Sequence, residues 1–164
     1  MNGASTTVVT TVHAPREWFF YWFLSVDLPK IMHRYGILPS VVSTRDQTGP
    51  MYQAGSTRVI QFSDGSTAVE EITSCDPPSR VIYRVGQVTS MFRHLVREGR
   101  AQITFLQSPT GGTSVEWRYT FYGHNWAATL LLRPLVSTLW RGFLQSTLSR
   151  AKQLAEPVAP SHSP

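Results

Sequence analysis

Residues 125–156, NWAATLLLRPLVSTLWRGFLQSTLSRAKQLAE, decide the fold of this chain. Apolar residues recur there with the period of an amphipathic helix and form one broad apolar side. The other side carries Thr129, Arg133 and Arg141 and is expected to face solvent. Pro134 predicts either a kink or a long helix that starts with the proline in its first turn, where a missing N–H costs little. A helix with so wide an apolar face requires a large concave partner, which must come from the residues before it.

The composition is that of a single globular domain. Of the 164 residues, 41% are hydrophobic and 15% are charged, and the one cysteine, Cys75, excludes an internal disulfide. This usage makes the cytoplasm the default compartment. The chain opens without the pattern of a signal peptide, and the apolar stretch 126–132 is too short to span a bilayer, so stable membrane insertion is not expected. We predict one domain over residues 5–156, with disordered ends at 1–4 and 157–164.

The positive charge of the chain is spread out rather than clustered. The net charge is +5 at neutral pH, and most of the positive residues are arginines that occur singly along the sequence. A nucleic-acid-binding protein gathers such residues into a stripe with interleaved aromatic side chains. Scattered arginines indicate a solvated surface instead, so nucleic acid is not an expected partner. The oligomeric state stays open between a monomer and a homodimer.

The residues before the long helix predict an antiparallel sheet. Residues 5–12 are rich in β-branched side chains and indicate a strand. Pro15 begins a short aromatic helix, and Asp27 is expected to cap a second one, DLPKIMHRY, which Gly36 closes. Because the later strands have no crossover helices between them, the sheet should be antiparallel. The result is an α+β domain with a seven-stranded sheet, whose other strands lie near residues 39–47, 56–62, 67–75, 80–88, 94–106 and 113–122.

The Asp64-Gly65 turn predicts the strand faces around it. If these two residues form the whole turn, Arg58 lies opposite Glu71 and makes an exposed cross-strand ion pair. The alternation along its own strand points Glu70 toward the helix, and Gln61 is expected on the same side.

The alternation of later strands places several aromatic side chains inside. Trp117 and Tyr119 alternate with charged or polar neighbours and should face inward, as should Tyr83 between two arginines. The same argument puts Arg97 inward, unless a bulge near Gly99 intervenes.

The order of these elements, together with the segments DGSTAVEEITSCDPPSRVIYRV, GGTSVEWRYTF and SRAKQLAE, resembles the START-like, or SRPBCC, superfamily and within it the polyketide cyclase/dehydrase and ligand-binding branch. The resemblance covers about residues 5–156. It implies a helix-grip (Bet v 1/START-like) fold, in which a curved sheet wraps the last helix and leaves an apolar cavity. Members include aromatase/cyclases, quinone- and lipid-binding proteins and plant hormone receptors, so the fold alone does not fix the function.

Three residues are candidates for catalysis. Glu70 is one because a carboxyl group in an apolar cavity is favoured in its neutral form and can act as a general acid or base, although it can equally tie the sheet together. His33 closes the second short helix near the expected cavity mouth, where it either shuttles a proton or only suits the helix C-terminus. Tyr83 is placed to donate to an enolate oxygen. Since no metal-ligand spacing, phosphate loop or nucleophile elbow occurs, neither a metal nor a cofactor is expected.

The candidate substrate-binding residues are those expected to line the cavity or its mouth. An inward Arg97 would have to meet Glu70 or an anionic ligand group, because an unpaired charge is costly in an apolar cavity. Aromatic side chains there either stack against a flat ligand or only fill the core. The full set is Gln61, Arg97, Trp117, Tyr119, Tyr35, Phe143, Leu139 and Trp22.

Two functions fit this pattern. The first is a cofactor-independent enzyme of secondary metabolism, such as antibiotic biosynthesis, that holds a polyketide or polyene chain and promotes its cyclisation, dehydration or isomerisation, as a lyase or isomerase does. The second is a carrier or sensor that holds a lipid, quinone or similar hydrophobic molecule without chemistry. Convergence of polar residues at one point inside the cavity would favour the enzyme.

Overall fold

A seven-stranded antiparallel sheet packs around a long C-terminal helical segment in the computed structural model, which describes residues 2–161. This is the predicted α+β, helix-grip arrangement. Met1 and residues 162–164, which belong to the ends predicted to be disordered, lie outside the described residues. The strands are β1 (Ala4–Val12), β2 (Val41–Arg45), β3 (Thr57–Phe62), β4 (Thr67–Asp76), β5 (Arg80–Gly86), β6 (Val96–Gln107) and β7 (Thr113–Gly123), in the order β1-β7-β6-β5-β4-β3-β2.

The helical backbone near the C-terminus runs without a break. Helix α2 (Trp126–Leu135) passes through a π-helical turn (Val136–Trp140) into α3 (Arg141–Ala155). Pro134 lies in the last turn of α2, so the predicted alternative in which it starts the long helix is wrong. The Asn125 side chain caps α2, because its Oδ1 accepts a hydrogen bond from the Ala128 N–H at 2.9 Å. Thr129, predicted to face solvent, is buried and accepts a hydrogen bond from the Gly123 N–H at 3.0 Å.

The aromatic helix α1 (Arg16–Ser25) closes one end of the sheet. Phe19, Phe20 and Phe23 are buried, and all three rings pack against Phe105 of β6. Burial of such side chains contributes about 1.5–3 kcal/mol each to stability. The aromatic side chains of this helix therefore anchor it to β6 of the sheet.

The predicted second helix, residues 27–35, is wrong beyond its first turn. Only Leu28–Lys30 is helical, as one 3-10 turn, and Asp27 makes no capping hydrogen bond with its side chain. Further on, Tyr35 and Leu38 exchange two backbone hydrogen bonds, of 3.1 and 2.9 Å, around a tight turn in which Gly36 has a φ of +56°. A helix over residues 27–35 would need the Tyr35 N–H for a hydrogen bond within the helix. Because that N–H donates to the Leu38 carbonyl instead, the helix cannot extend to Tyr35.

The hairpin between β3 and β4 has one more loop residue than predicted. The Phe62 N–H donates to the Ser66 carbonyl at 2.9 Å, which leaves three residues, 63–65, in the loop. Gly65 takes a φ of +83°, as the left-handed position of such a loop requires. The Asp64 carboxylate accepts hydrogen bonds from the N–H and hydroxyl of Ser66, at 2.9 and 2.6 Å, and fixes the turn.

This extra residue shifts every β3–β4 pair by one position. Arg58 lies opposite Glu70 rather than Glu71. The predicted exposed pair between Arg58 and Glu71 is therefore wrong. Glu71 pairs instead with Arg84 of β5, at 2.6 Å, on the solvent face of the sheet.

Candidate functional site

Two adjoining pockets lie between the inner face of the sheet and the helical segment. The outer pocket has a volume of about 150 Å³ and the inner one about 80 Å³. Phe62, Val85, Tyr119 and Trp140 line both, so the two pockets meet at these four side chains. A ligand that spans the junction would contact both at once.

A buried ion pair lies in the inner pocket. Arg58 Nε donates to Glu70 Oε2 at 2.9 Å, and the two side chains are only 11% and 8% exposed. The shifted hairpin register creates this pair, because it places the two residues opposite each other on the inner face. Glu70 faces inward as predicted, and the pair with Arg58 joins β3 to β4, which agrees with the alternative in which Glu70 ties the sheet together.

Two tyrosines and a tryptophan complete the polar end of the inner pocket. Trp117 Nε1 donates to the Tyr83 hydroxyl at 3.0 Å. The rings of Tyr83 and Tyr119 meet edge to face with centroids 6.2 Å apart, across the small Ala101 of the strand between them. Gly99 also makes room, since a Cβ there would lie 2.9 Å from the Tyr119 hydroxyl. Glycine and alanine on β6 thus let both phenol groups face the pocket.

Both phenols stay neutral over the physiological pH range. Burial raises the pKa of Tyr83 well above its ordinary value, with smaller contributions from Tyr119 and from the Glu70 carboxylate. Burial, followed by Glu70, raises the pKa of Tyr119 as well. Each hydroxyl therefore keeps its proton and can donate a hydrogen bond. Among residues 2–161, neither hydroxyl has a protein acceptor for that proton.

The outer pocket is apolar. Leu132, Val136 and Phe143 from the helical segment face Ala68 of the sheet. The predicted substrate-binding residues Leu139 and Phe143 both belong to this lining, and Trp117 and Tyr119 line the inner pocket. Their role in binding stays a prediction.

Arg97 points to solvent, so its predicted cavity position is wrong. The ladder between β6 and β7 is irregular between Val96 and Glu98, and this bulge removes Arg97 from the alternation of the strand. The predicted alternative, a bulge near Gly99 that turns Arg97 to solvent, is therefore confirmed, with the irregularity ending at Glu98, next to Gly99.

Four other predicted residues lie outside the pockets. Gln61 alternates with the inward Ile60 and Phe62 and accepts a hydrogen bond from the Ser43 hydroxyl at 3.1 Å, so it does not share the face of Glu70. His33 is exposed in the irregular segment that replaces the predicted helix. The remaining two pack elsewhere: Trp22 stacks on Trp18 and Phe19 of its own helix, and the Tyr35 ring lies over Gly142 of α3.

Sequence reasoning missed two residues of the site. Arg58 was placed on the outer face because the hairpin loop was taken as two residues long. Trp140 was not among the candidate residues, yet it lines both pockets and packs against Tyr119, Phe121 and Phe143. It ends the π turn, and π turns are common at functional sites.

Comparison with known proteins places this fold in a family. A family model described as polyketide cyclase / dehydrase and lipid transport matches residues 4–156. The chain belongs to this family. The description names polyketide chemistry and lipid transport, and both involve hydrophobic small molecules. No curated protein matches the sequence significantly.

Several solved structures share the fold of this polyketide cyclase/dehydrase family member. Ginseng major latex-like protein 151 from Panax ginseng is 17% identical, with a TM-score of 0.67 over 94% of this chain and 98% of that chain. Protein Ms6760 from Mycobacterium smegmatis is 17% identical, with a TM-score of 0.61 over 98% and 94% of the two chains. XoxI from Bacillus cereus is also 17% identical, with a TM-score of 0.64 over 92% and 94%. At these identities the likeness shows the fold alone.

Two features are absent from the described residues, a metal-binding cluster and a membrane-spanning helix. Within residues 2–161, no group of three His, Cys, Asp or Glu side chains is placed to hold a metal ion. None of the helices in that range is long and apolar enough to cross a membrane.

Proposed function

We propose that the protein binds a small, mainly apolar molecule that carries a carbonyl or hydroxyl oxygen. The apolar body occupies the outer pocket, and the oxygen reaches the polar end of the inner pocket. The observation that carries this proposal is the set of hydrogen-bond donors that line the inner part of an otherwise apolar cavity. Family membership supports a hydrophobic ligand.

The donors at the inner end are suited to an oxygen acceptor. Tyr83 and Tyr119 are neutral phenols that line the inner pocket. Arg58 donates to Glu70 through Nε, and its other guanidinium nitrogens have no hydrogen bond within residues 2–161. A neutral oxygen is favoured over a carboxylate, because Glu70 already balances the charge of Arg58 and a second buried anion would be uncompensated.

The pocket volumes limit the size of the ligand. A cavity of about 150 Å³ lined by apolar side chains is large enough to hold benzene, and the outer pocket matches that volume. A molecule of two fused rings therefore fills the outer pocket and reaches the junction with the inner one. A longer chain must extend through the mouth of the outer pocket.

An aromatic ketone and its hydrocarbon analogue test this proposal directly. We expect 1-tetralone to bind between about twofold and about tenfold more tightly than tetralin, which lacks only the oxygen, because a hydrogen bond contributes about 0.5–1.5 kcal/mol. In the Tyr83→Phe/Tyr119→Phe variant this preference should become smaller, because Arg58 alone still offers donors to the oxygen. Isothermal titration calorimetry measures both.

The matched control is Tyr21→Phe, which removes a half-exposed phenol of α1 outside both pockets. It should leave the preference for the ketone unchanged. Equal binding of 1-tetralone and tetralin to the wild-type protein would contradict the proposal.

A second function is favoured by one observation, the buried carboxylate beside a cation and two neutral phenols. In a polyketide cyclase or dehydratase, Glu70 would take a proton from the carbon next to a carbonyl. Arg58 and Tyr83 would then stabilise the enolate oxygen that forms. His33 is exposed and has no part in this proposal.

Native mass spectrometry of protein purified from its producing cell separates the two functions. Release and identification of the bound molecule should give a cyclised or dehydrated product if the protein is an enzyme, and Glu70→Gln protein should then carry the unreacted precursor. If wild-type and Glu70→Gln protein carry the same unmodified molecule, the protein is a carrier and the catalytic function is wrong. Glu71→Gln, on the solvent face, is the control.

A further inference from the structure

The solvent face of helix α2 is apolar where a surface helix is normally polar. Its exposed arc consists of Trp126, Ala127, Leu130, Leu131 and Pro134, and one edge carries Arg133. Helical spacing joins Leu131 to Leu135 one turn later, and Leu135 lines the outer pocket. The exposed face is therefore continuous with the rim of the pocket.

Other exposed apolar side chains stand around the same opening. Ile37, from the loop after the 3-10 turn, and Met91, at the start of the 3-10 turn Met91–His94, both line the outer pocket and are largely exposed. The His124 ring contacts the Arg93 carbonyl at 2.8 Å and so holds the second turn against the start of α2. We call the following five residues, each between 52% and 79% exposed, the mouth patch: Ile37, Met91, Trp126, Leu130 and Leu131.

Four exposed arginines lie close in sequence to residues of the mouth patch or of the outer pocket. Arg34 and Arg93 lie within three residues of Ile37 and Met91, Arg97 follows the pocket residue Val96, and Arg133 lies one turn from Leu130. Within residues 2–161 none of the four is in an ion pair, whereas Arg45, Arg80, Arg84 and Arg100 each have a carboxylate partner. The acidic groups nearby are Asp64, which is bonded to Ser66, and Glu98, which is paired with Arg100.

We propose that the mouth patch docks on an anionic membrane surface, so that the ligand passes between bilayer and pocket. The inference deepens the proposed function and rests on it for the route of the ligand. Exposed Trp and Leu side chains enter the interfacial region, while arginines around them attract anionic headgroups. A second copy of the chain is a poorer occupant, because a two-fold interface would bring the same unpaired arginines face to face.

Vesicle co-sedimentation tests the proposal. We expect the protein to bind vesicles of phosphatidylcholine with about 30% phosphatidylglycerol, and to bind pure phosphatidylcholine vesicles far more weakly. Leu130→Gln should reduce the partition coefficient about tenfold, and Arg97→Gln about fivefold. Raising the salt concentration should weaken binding and shrink the effect of Arg97→Gln.

Two matched controls lie away from the mouth. Leu106→Gln changes a leucine that is 53% exposed, against 52% for Leu130, at the opposite end of β6. Arg118→Gln removes an exposed arginine from the outer face of β7. Neither should change vesicle binding.

Three results would overturn the proposal: no binding to the anionic vesicles, equal losses for Leu130→Gln and Leu106→Gln, or a dimer in analytical ultracentrifugation that Leu130→Gln dissociates. Calorimetry with 1-tetralone separates this inference from the proposed function. If the protein does not bind vesicles but still prefers the ketone, only the proposed docking surface is wrong. If the protein binds vesicles but does not prefer the ketone, the proposed ligand is wrong, and so is the proposed reason for docking.

Discussion

Substitution of Arg58 by methionine is expected to lower the free energy of unfolding by about 3–5 kcal/mol. The change leaves the Glu70 carboxylate in the inner pocket, 8% exposed, without its cationic partner at 2.9 Å. An unpaired charge in such a place is strongly destabilising, even though methionine replaces much of the arginine stem. Urea unfolding of the wild type and variant, compared by linear extrapolation, measures the loss.

Removal of both charges should recover most of that stability. The Arg58→Met/Glu70→Met variant leaves no buried charge, and replacement of a buried ion pair by apolar residues is often neutral or stabilising. We therefore expect it within about 1 kcal/mol of the wild type or above it. A large difference in the free energy of unfolding between Arg58→Met and the double variant would show that the single variant is destabilised by the unpaired charge of Glu70. It would not be explained by lost packing of Arg58.

The neighbouring Arg84–Glu71 pair supplies the control within the same sheet. It has the same residue types at 2.6 Å, but its arginine is 53% exposed. Arg84→Met should cost about 1 kcal/mol or less, as surface ion pairs generally do. If Arg58→Met cost no more than Arg84→Met, the buried pair would have no special part in stability.

The same double variant bears on function. If apolar residues can replace the pair without loss of stability, the fold itself does not require the charges. Their position in the inner pocket then points to the ligand, since Arg58 keeps donors that no residue within 2–161 uses. A smaller preference for 1-tetralone over tetralin in a stable double variant is the expected result, because only the phenols of Tyr83 and Tyr119 then remain as donors.

The alternation within a single strand was enough to place Glu70, but its partner could not be read from the sequence. Side-chain direction follows from the period of two along β4, and burial of Glu70 agrees with it. The cross-strand partner depends on the number of loop residues, and Asp64-Gly65 is compatible with a loop of two or three residues. The third residue of the loop places Arg58 in the inner pocket, whereas a loop of two residues would turn it to solvent.

Irregular backbone accounts for the other differences. A bulge turned Arg97 outward, and a backbone pairing between Tyr35 and Leu38 replaced the helix that would have carried His33 to the mouth. The π turn ending at Trp140 departs from the helical period on which the sequence analysis relied. Each feature interrupts the regular repeat of its element, so a periodic pattern of side chains could not show it.

Filling the outer pocket is expected to abolish binding while the protein stays folded. In Ala68→Phe the added phenyl group occupies the space in which a ring of the ligand would lie, since the pocket of about 150 Å³ has room for one benzene-sized group. The affinity for 1-tetralone should fall at least about a hundredfold, equivalent to about 2.7 kcal/mol. Calorimetry measures this loss, and thermal unfolding checks the fold.

A second substitution tests whether the loss of binding is specific to position 68 or reflects the filling of the cavity. Val85 lines both pockets from β5, so Val85→Phe obstructs their junction from another strand. Ala54→Phe adds the same ring to an exposed loop and should leave binding unchanged. Overpacking a full core typically costs about 1–3 kcal/mol, so a small loss of stability in Ala68→Phe would show that the space was empty.

The affinity and stability of the filled variants decide where the ligand lies. If Ala68→Phe and Val85→Phe stay folded and both lose 1-tetralone, the ligand requires the outer pocket and its junction. If both variants bind 1-tetralone as tightly as Ala54→Phe does, the ligand does not enter the cavity. The donors of Arg58, Tyr83 and Tyr119 then have only a structural role in the sheet. Loss in Val85→Phe only would place the ligand at the junction of the two pockets and away from Ala68, since the inner pocket, with a volume of about 80 Å³, is too small for a two-ring body.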